Sequence, residues 1–221
     1  MRVERLLWDA RGNRRVPPVR AFDQAVTELR RGELERICEF NPHGPIYFIP
    51  TRPLLRALAR KIGRRRVLEV AAGDGHLARE LSRQGVKIVA TDSGTWERPQ
   101  ARMNAAEKRK HRGRNVPGLR LGANVVRMEA LAAIVRFEPE VVLACWLPPG
   151  PLLGRLVRAA PRVIEIGAGS GITGDIRCWR YEHEFLDELD ALGRCRLDER
   201  PARKLHTRVT LYERRPPRRR G

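Results

Sequence analysis

Two carboxylates and a glycine-rich turn stand in the chain in an order that suits a nucleotide-like ligand. Glu69 lies inside the apolar run 67–70, and the turn Ala71-Ala72-Gly73-Asp74-Gly75 follows it directly. Asp92 ends the next apolar run, close to the spacing of about 20 residues at which an acid binds ribose hydroxyls. Glycine lets a ligand approach the backbone, and a helix that begins after the turn offers unpaired N–H groups.

Two cofactor classes use such a turn. Gly73, Gly75 and Ala78 satisfy the relaxed dinucleotide fingerprint, which would indicate NAD. The stretch 69–75 also resembles motif I of the Rossmann-like, class I S-adenosylmethionine (SAM) methyltransferases, which usually reads acid-x-Gly-x-Gly-x-Gly. Glu69 favours the second class, because a dinucleotide fingerprint needs no carboxylate inside the strand.

The resemblance covers residues 64–213 and implies a doubly wound, mostly parallel seven-stranded sheet that binds SAM. In the family, the acid of motif I holds the methionine end, a second acid binds the ribose, and a third accepts a hydrogen bond from the adenine amino group. Ala71 departs from the family pattern, which has glycine at that position. The cofactor-binding residues that the resemblance implies are Glu69, Ala71, Gly73, Asp74, Gly75, Asp92, Glu129 and Cys145.

The predicted strand 141–145 leads into Trp146-Leu-Pro-Pro-Gly150, where several branches of the family carry a motif that faces the acceptor. Branches that methylate amino nitrogens have Asn/Asp-Pro-Pro-aromatic here, whereas this chain has Leu147 and Gly150 at the two ends. Amino-group methylation by that mechanism is therefore not expected. We expect Trp146, Pro148 and Pro149 to form an apolar or stacking wall, with Trp96 from the polar loop 93–123 as a further acceptor contact.

Methyl transfer from an activated sulfonium depends on alignment and on desolvation of the nucleophile. A general base is needed only if the acceptor is a hydroxyl or a protonated amine. The candidates for such a base are Tyr47, Asp175 and His183, and the sequence does not choose among them. No metal site is predicted, because the four cysteines are scattered and no C-x-x-C pair occurs.

Strand and helix patterns divide the chain into three parts. Residues 1–63 are predicted to form an irregular arm over 1–20 and a helical cap over the cofactor, with a helix over 21–40 and Thr51 as the N-cap of a helix over 52–62. Residues 64–213 are predicted to form the SAM-binding domain, and 214–221 a basic, disordered tail. The predicted elements of the last two thirds are strands at 86–91, 124–128 and 162–166, helices at 75–84 and 181–192, a short basic helix at 101–111, and a closing strand pair at 194–198 and 207–212.

A second copy of the glycine motif occurs late in the chain. Residues 162–171 read Arg-Val-Ile-Glu-Ile-Gly-Ala-Gly-Ser-Gly and mirror 66–75. Only about 50 residues follow, and no predicted strand that ends in an acid follows at ribose spacing, so we interpret this copy as the fifth strand with a glycine loop. A duplicated half of the cofactor site is the alternative, and whether 167–171 bind anything stays open.

The formal net charge of +19 comes mostly from the basic segments 52–66, 101–120 and 214–220. Clustered positive charge is the electrostatic pattern expected of a protein that binds a polyanion, so RNA is one possible partner. A solvated surface explains the same charges. The apolar wall, in contrast, favours a small-molecule or peptide acceptor, and both acceptor classes stay open.

Several classes of protein are disfavoured. No apolar run approaches the ~18 residues needed to cross a bilayer, and the N-terminus lacks the apolar core of a signal peptide. Scattered cysteines suit a reducing compartment, so we expect a cytoplasmic protein with no membrane contact. The leading hypothesis is a SAM-dependent methyltransferase, and the alternatives are an NAD-dependent oxidoreductase and a non-catalytic nucleic-acid-binding protein on the same fold.

Overall fold

A seven-stranded sheet is the centre of the computed structural model, which describes residues 3–99, 117–168, 173–190, 192, 194–195 and 207–213. Two further strands pair with each other outside this sheet, β1 (Phe48–Ile49) and β8 (Arg194–Cys195). The seven strands of the main sheet are β2 (Val67–Val70), β3 (Ile88–Asp92), β4 (Val125–Arg127), β5 (Val141–Cys145), β6 (Arg162–Ala168), β7 (His183–Phe185) and β9 (Thr207–Glu213).

The strand order is β4-β3-β2-β5-β6-β9-β7. The first five strands are parallel, and β9 is antiparallel to both of its neighbours. The predicted fold class, a doubly wound and mostly parallel seven-stranded sheet, is confirmed. The direction of winding reverses between β2 and β5, and ligands bind outside the carboxyl ends of the strands at such a point.

Helices cover both faces of the sheet. The described helices are α1 (Val3–Leu7), α2 (Val19–Thr27), α3 (Glu33–Glu39), α4 (Arg52–Ile62), α5 (His76–Ser82), α6 (Ala130–Phe137), α7 (Leu152–Ala159) and α8 (Asp187–Asp190). Leucines of α4, α5 and α8 bury themselves in one apolar cluster against the sheet. Residues of α6 and α7 bury themselves in a second cluster on the other face. The central strands β2 and β5 are therefore buried on both sides, which explains their continuous apolar sequences, whereas the edge strand β4 is largely exposed.

The start of α4 is set by its sequence, as predicted. Thr51 Oγ1 accepts a hydrogen bond from the backbone N–H of Leu54 at 3.2 Å, and Pro53 occupies the first turn, where no N–H is needed. The apolar stripe of the helix faces the sheet, and its basic side chains Arg52, Arg56 and Arg60 are exposed. The buried stripe consists of Leu54, Leu55, Leu58 and Ile62.

The N-terminal region is more ordered than its sequence indicates. The predicted arm 1–20 contains α1 and an antiparallel bridge between Trp8 and Arg14. The helix predicted over 21–40 is two helices, since Gly32 adopts a φ of 79° at the start of α3. These short helices bury one side each in a third apolar cluster, built from residues such as Leu7, Phe22 and Leu34.

Two predictions near the C-terminus are wrong. The helix predicted over 181–192 is instead β7 followed by the short α8. The rings of His183 and Phe185 lie 4.7 Å apart, and His183 also packs against Tyr212 of β9, so ring packing along one strand face outweighs helix propensity. The last strand pairs with β6 and β7, whereas residues 194–195 pair with β1.

Other predictions fall outside the described residues: the basic helix at 101–111, the glycine loop at 169–171 and the tail 214–221. In the part of the chain that is described, no helix is long and apolar enough to cross a membrane. The same part contains no group of three or more His, Cys, Asp or Glu side chains that could hold a metal ion.

Candidate functional site

A cavity of about 280 Å³ opens at the carboxyl ends of β2 and β5, where the winding of the sheet reverses. It brings together most of the residues that the sequence singled out. The glycine turn forms one side of the cavity and the segment after β5 forms the other. The predicted residues that line it are Tyr47, Glu69, Ala71, Gly73, Asp74, Asp92, Trp96, Cys145, Trp146, Pro148 and Pro149.

The turn after β2 is held in left-handed backbone conformations. The φ angles are 52° at Ala71, 56° at Gly73 and 65° at Gly75. A Cβ on Gly75 would lie 2.6 Å from Cγ2 of Val125, so no larger residue fits there. Ala71 adopts a conformation that costs an L-residue about 1–2 kcal/mol, which explains why glycine is the usual residue at this position of the motif.

Glu69 lines the cavity and is only 2% exposed. Its Oε2 accepts a hydrogen bond from the N–H of Ala78 at 2.9 Å. Burial raises the pKa of Glu69 to about 8, and the nearby Asp74 carboxylate adds to the shift. A carboxyl group in this state ionises readily when a cationic group arrives beside it, because the cation stabilises the charged form.

Asp92 lies at the end of β3 and is 5% exposed. One carboxylate oxygen accepts from the N–H of Gly73 at 2.9 Å and the other from the N–H of Gly94 at 2.7 Å. These two bonds fix the side chain against the glycine turn. Each oxygen keeps a lone pair for a further donor, such as a ligand hydroxyl.

Arg14 reaches the site from the N-terminal region, and sequence analysis missed it. Its guanidinium lies 3.2 Å from a carboxylate oxygen of Asp74 and donates to the carbonyl of Phe48 at 2.8 Å. The turn that returns Arg14 to the site is stabilised by Asp9, whose Oδ1 accepts from the N–H groups of Arg11 and Asn13. That turn pattern, Asp followed by Gly-Asn, was the available signal.

His76 is a second residue of the cavity that sequence analysis missed. Burial lowers its pKa well below the ordinary value, and the charges of Arg14, Arg79 and Arg83 act in the same direction. Nδ1 lies 2.7 Å from a guanidinium nitrogen of Arg79, which can only donate, so the ring proton is on Nε2. This buried Nε2–H has no hydrogen-bond partner among the described residues, and the ring is 1% exposed.

The other wall of the cavity is aromatic. The rings of Phe48 and Trp146 stack with their centroids 6.5 Å apart, and Trp146 has a φ of 59°, which is rare for a bulky residue. The side chain of Leu147 is fully buried in the cluster beneath α6 and α7. Because it is apolar, this position offers no polar side-chain group to the cavity. Tyr47 and Trp96 complete an aromatic surface suited to a flat or apolar acceptor.

Cys145 also belongs to this wall. Burial raises the pKa of its thiol well above the ordinary value, and the nearby Glu69 adds to the effect. The thiol is therefore neutral at physiological pH and is unsuited to act as a nucleophile.

Four predicted residues do not line the cavity. Gly75 lies behind the turn against β4, and Glu129 is an exposed residue at the start of α6. Asp175 forms hydrogen bonds with the backbone and side chain of Arg177. His183 lies on the edge strand β7, and its Nδ1 donates one hydrogen bond to the carbonyl of Tyr181. Of the three proposed bases, only Tyr47 faces the site.

Comparison with known proteins gives structural similarity at low identity. The 23S rRNA methyltransferase ErmE is 18% identical with a TM-score of 0.38, over 76% of this chain and 70% of ErmE. The Mtq2–Trm112 complex of E. cuniculi is 18% identical with a TM-score of 0.36, over 74% of this chain and 93% of the matched chain. TehB from Haemophilus influenzae is 12% identical with a TM-score of 0.38, over 73% of this chain and 61% of TehB. No family model and no curated protein matches the chain. At these TM-scores the similarities carry no weight of their own, and the function is inferred from the cavity.

Proposed function

We propose that the protein is a SAM-dependent methyltransferase. The observation that carries this proposal is the buried Glu69 at the glycine turn, in one cavity with Asp92. SAM carries a methyl group on a positively charged sulfur. A nucleophile that attacks the methyl carbon in line takes up the methyl group, and S-adenosylhomocysteine is the leaving group.

The charges of the cavity match the zwitterionic amino-acid end of this cofactor. The carboxylate of Glu69 would bind the ammonium group. Arg14 and the unpartnered Nε2–H of His76 are the donors available to the carboxylate. Asp92 would accept from the ribose hydroxyls, and the positive φ angles of the turn leave its backbone open to the ligand. Glu129 stays a proposal for the adenine amino group, with no contact to the cavity wall to support it.

An NAD-dependent oxidoreductase fits this cavity less well. A pyrophosphate would bring two negative charges close to the carboxyl groups of Glu69, Asp74 and Asp92, against one arginine in the wall. Repulsion of that kind disfavours a dinucleotide and favours a ligand with net positive charge.

In this proposal the residues around the acceptor orient it and exclude water. The stacked Phe48 and Trp146 exclude water from the cavity and hold a flat acceptor in line with the methyl group. Tyr47 is the residue in reach to take a proton if the acceptor needs a base. RNA is the acceptor class that we propose, because an aromatic wall suits a nucleobase and the chain carries a large positive charge.

We also place the protein in the cytoplasm. The cysteines whose side chains the structure describes, Cys38, Cys145 and Cys178, form no disulfide bond with one another. Thiols outside disulfide bonds are typical of a reducing compartment.

Calorimetry with SAM and with S-adenosylhomocysteine tests the proposal. We expect micromolar binding to the wild type and its loss in Asp92→Ala, with Asp187→Ala, an exposed acid on α8, as the matched control. Circular dichroism of each variant establishes that it is folded. Absence of SAM binding to the wild type would refute the proposal, and SAM binding without transfer to any acceptor would indicate a non-catalytic protein.

A further inference from the structure

A second depression, which we call the arginine groove, lies between the N-terminal segment and the outer sides of α4 and α5. Its volume is about 880 Å³. Two carboxyl groups, those of Asp9 and Glu80, face seven guanidinium groups across it. The seven are Arg5, Arg14, Arg15, Arg52, Arg56, Arg79 and Arg83.

The two acids of the groove do not neutralise it. Asp9 is bound by Asn13 and by the backbone of its own turn, and Glu80 contacts Arg79 and Arg83. Four other arginines are exposed and form no ion pair with a described residue: Arg5, Arg15, Arg52 and Arg56. The groove is therefore a surface with a large uncompensated positive charge.

The spacing of these charges suits a partner with repeated negative charges. Arg52 and Arg56 are one helical turn apart on α4, about 6 Å along the axis, and Arg79 and Arg83 have the same spacing on α5. Leu54 and Leu81 belong to the same buried cluster, so the two helices lie side by side. A single small anion does not need two such rows, whereas a chain of phosphates can contact both.

The groove is continuous with the cavity through Arg14, which lines both. The two differ in chemistry: no described residue that lines the groove is aromatic, whereas Tyr47, Phe48, Trp96 and Trp146 line the cavity. This division separates backbone contacts from base contacts, because guanidinium groups bind phosphates and aromatic rings stack on bases.

We propose that the arginine groove binds the phosphate backbone of a single-stranded RNA and so directs one of its bases into the aromatic cavity. Single-stranded loops of RNA offer unstacked bases, whereas a duplex must first be opened to place a base in a pocket. The delivery of a base rests on the proposed methyl transfer. The contact between the groove and the phosphates does not depend on it.

Fluorescence anisotropy with a labelled, unstructured RNA of about 20 nucleotides tests the groove. The test variant is Arg15→Gln, Arg52→Gln, Arg56→Gln, which removes three exposed charges from the groove. The matched control is Arg31→Gln, Arg155→Gln, Arg180→Gln, which removes three exposed arginines elsewhere that form no ion pair with a described residue. Each lost phosphate contact should reduce the slope of log affinity against log salt by about 0.7. We expect the test variant to bind about a hundredfold more weakly at about 0.1 M salt, with a slope smaller by about 2, and the control to change little.

Three outcomes would overturn the proposal. They are equal RNA binding by all three proteins, no RNA binding by the wild type, and binding of duplex DNA or of poly-glutamate as tight as that of RNA. Calorimetry with SAM on the same proteins separates this proposal from the function proposed above. The groove variant should keep the SAM affinity of the wild type. If the wild type binds RNA through the groove but never binds SAM, the methyltransferase proposal fails and the groove stands.

Discussion

Glutamine at position 69 is the substitution that tests the cofactor site most directly. Glu69→Gln keeps the size of the side chain and an oxygen that can accept from the N–H of Ala78. It removes the negative charge that we assign to the ammonium group of SAM. A hydrogen bond to a charged group is worth about 1.5–3 kcal/mol, so SAM should bind roughly ten- to a hundredfold more weakly at about pH 8.

The pKa of Glu69 adds a pH dependence that only the wild type should show. With a pKa of about 8, about 1% of the side chains are ionised at pH 6 and about half at pH 8. The α-amino group of the ligand has an ordinary pKa of about 8, so its charged fraction falls by about half over the same range. Affinity should therefore rise about 25-fold from pH 6 to pH 8 in the wild type. It should fall slightly over that range in Glu69→Gln.

Isothermal titration calorimetry in buffers of different ionisation enthalpy measures both effects. At about pH 6 the wild type should release close to one proton for each SAM bound, and Glu69→Gln should release none. Glu188→Gln, an exposed acid on α8, is the control and should behave as the wild type. An affinity of the wild type that is constant from pH 6 to pH 8, or an unchanged affinity in Glu69→Gln, would refute the role assigned to this carboxyl group.

Three further predictions concern neighbouring residues. Arg14→Gln should reduce the affinity for SAM about tenfold or more. In the same calorimetric assay the affinity for 5′-methylthioadenosine, which lacks the carboxylate, should not change. Ala71→Gly should raise the free energy of unfolding by about 0.5–1 kcal/mol in urea titrations, because the backbone strain that alanine has at a φ of 52° exceeds the entropic cost of glycine. A lower free energy of unfolding in the variant would contradict this. Burial raises the pKa of Glu165 to about 7. Above about pH 4.5 the folded state therefore binds more protons than the unfolded state, so the free energy of unfolding falls as the pH rises to about 7. Glu165→Gln should therefore be more stable than the wild type by up to about 3 kcal/mol at pH 8 and by little at pH 4.5, and an equal difference at both pH values would exclude this explanation.

The parts of the fold that sequence patterns predicted are those determined by local signals. A continuous apolar run, a small-residue turn and a helix start identify β2 and α5, because parallel strands are buried on both faces. The same reasoning located β3 and β5, and with them Asp92 and Trp146. The strand β7 was missed because it lies at the sheet edge, where ring packing on Tyr212 provides the stabilisation instead of a recognisable apolar run.

Arg14 and His76 show why part of the site could not be predicted. Arg14 is 60 residues from Asp74 in sequence, and its position depends on how α1 and the bridge at Trp8 fold against the rest. His76 follows the glycine turn directly, but the role that we propose for it depends on its burial and on Arg79 fixing the tautomer. Neither role can be predicted from the residue type alone.

The charges around the turn explain why the cavity favours a cation. Three carboxyl groups meet there, and the structure compensates two of them: Arg14 pairs with Asp74, and two backbone N–H groups bind Asp92. Glu69 receives one backbone N–H bond, and burial raises its pKa, with the Asp74 carboxylate adding to the shift and Arg14 opposing it. Below its pKa Glu69 carries a proton, and one further positive charge beside it would stabilise the ionised form. An ammonium group beside Glu69 supplies that charge, whereas a phosphate would add to the repulsion.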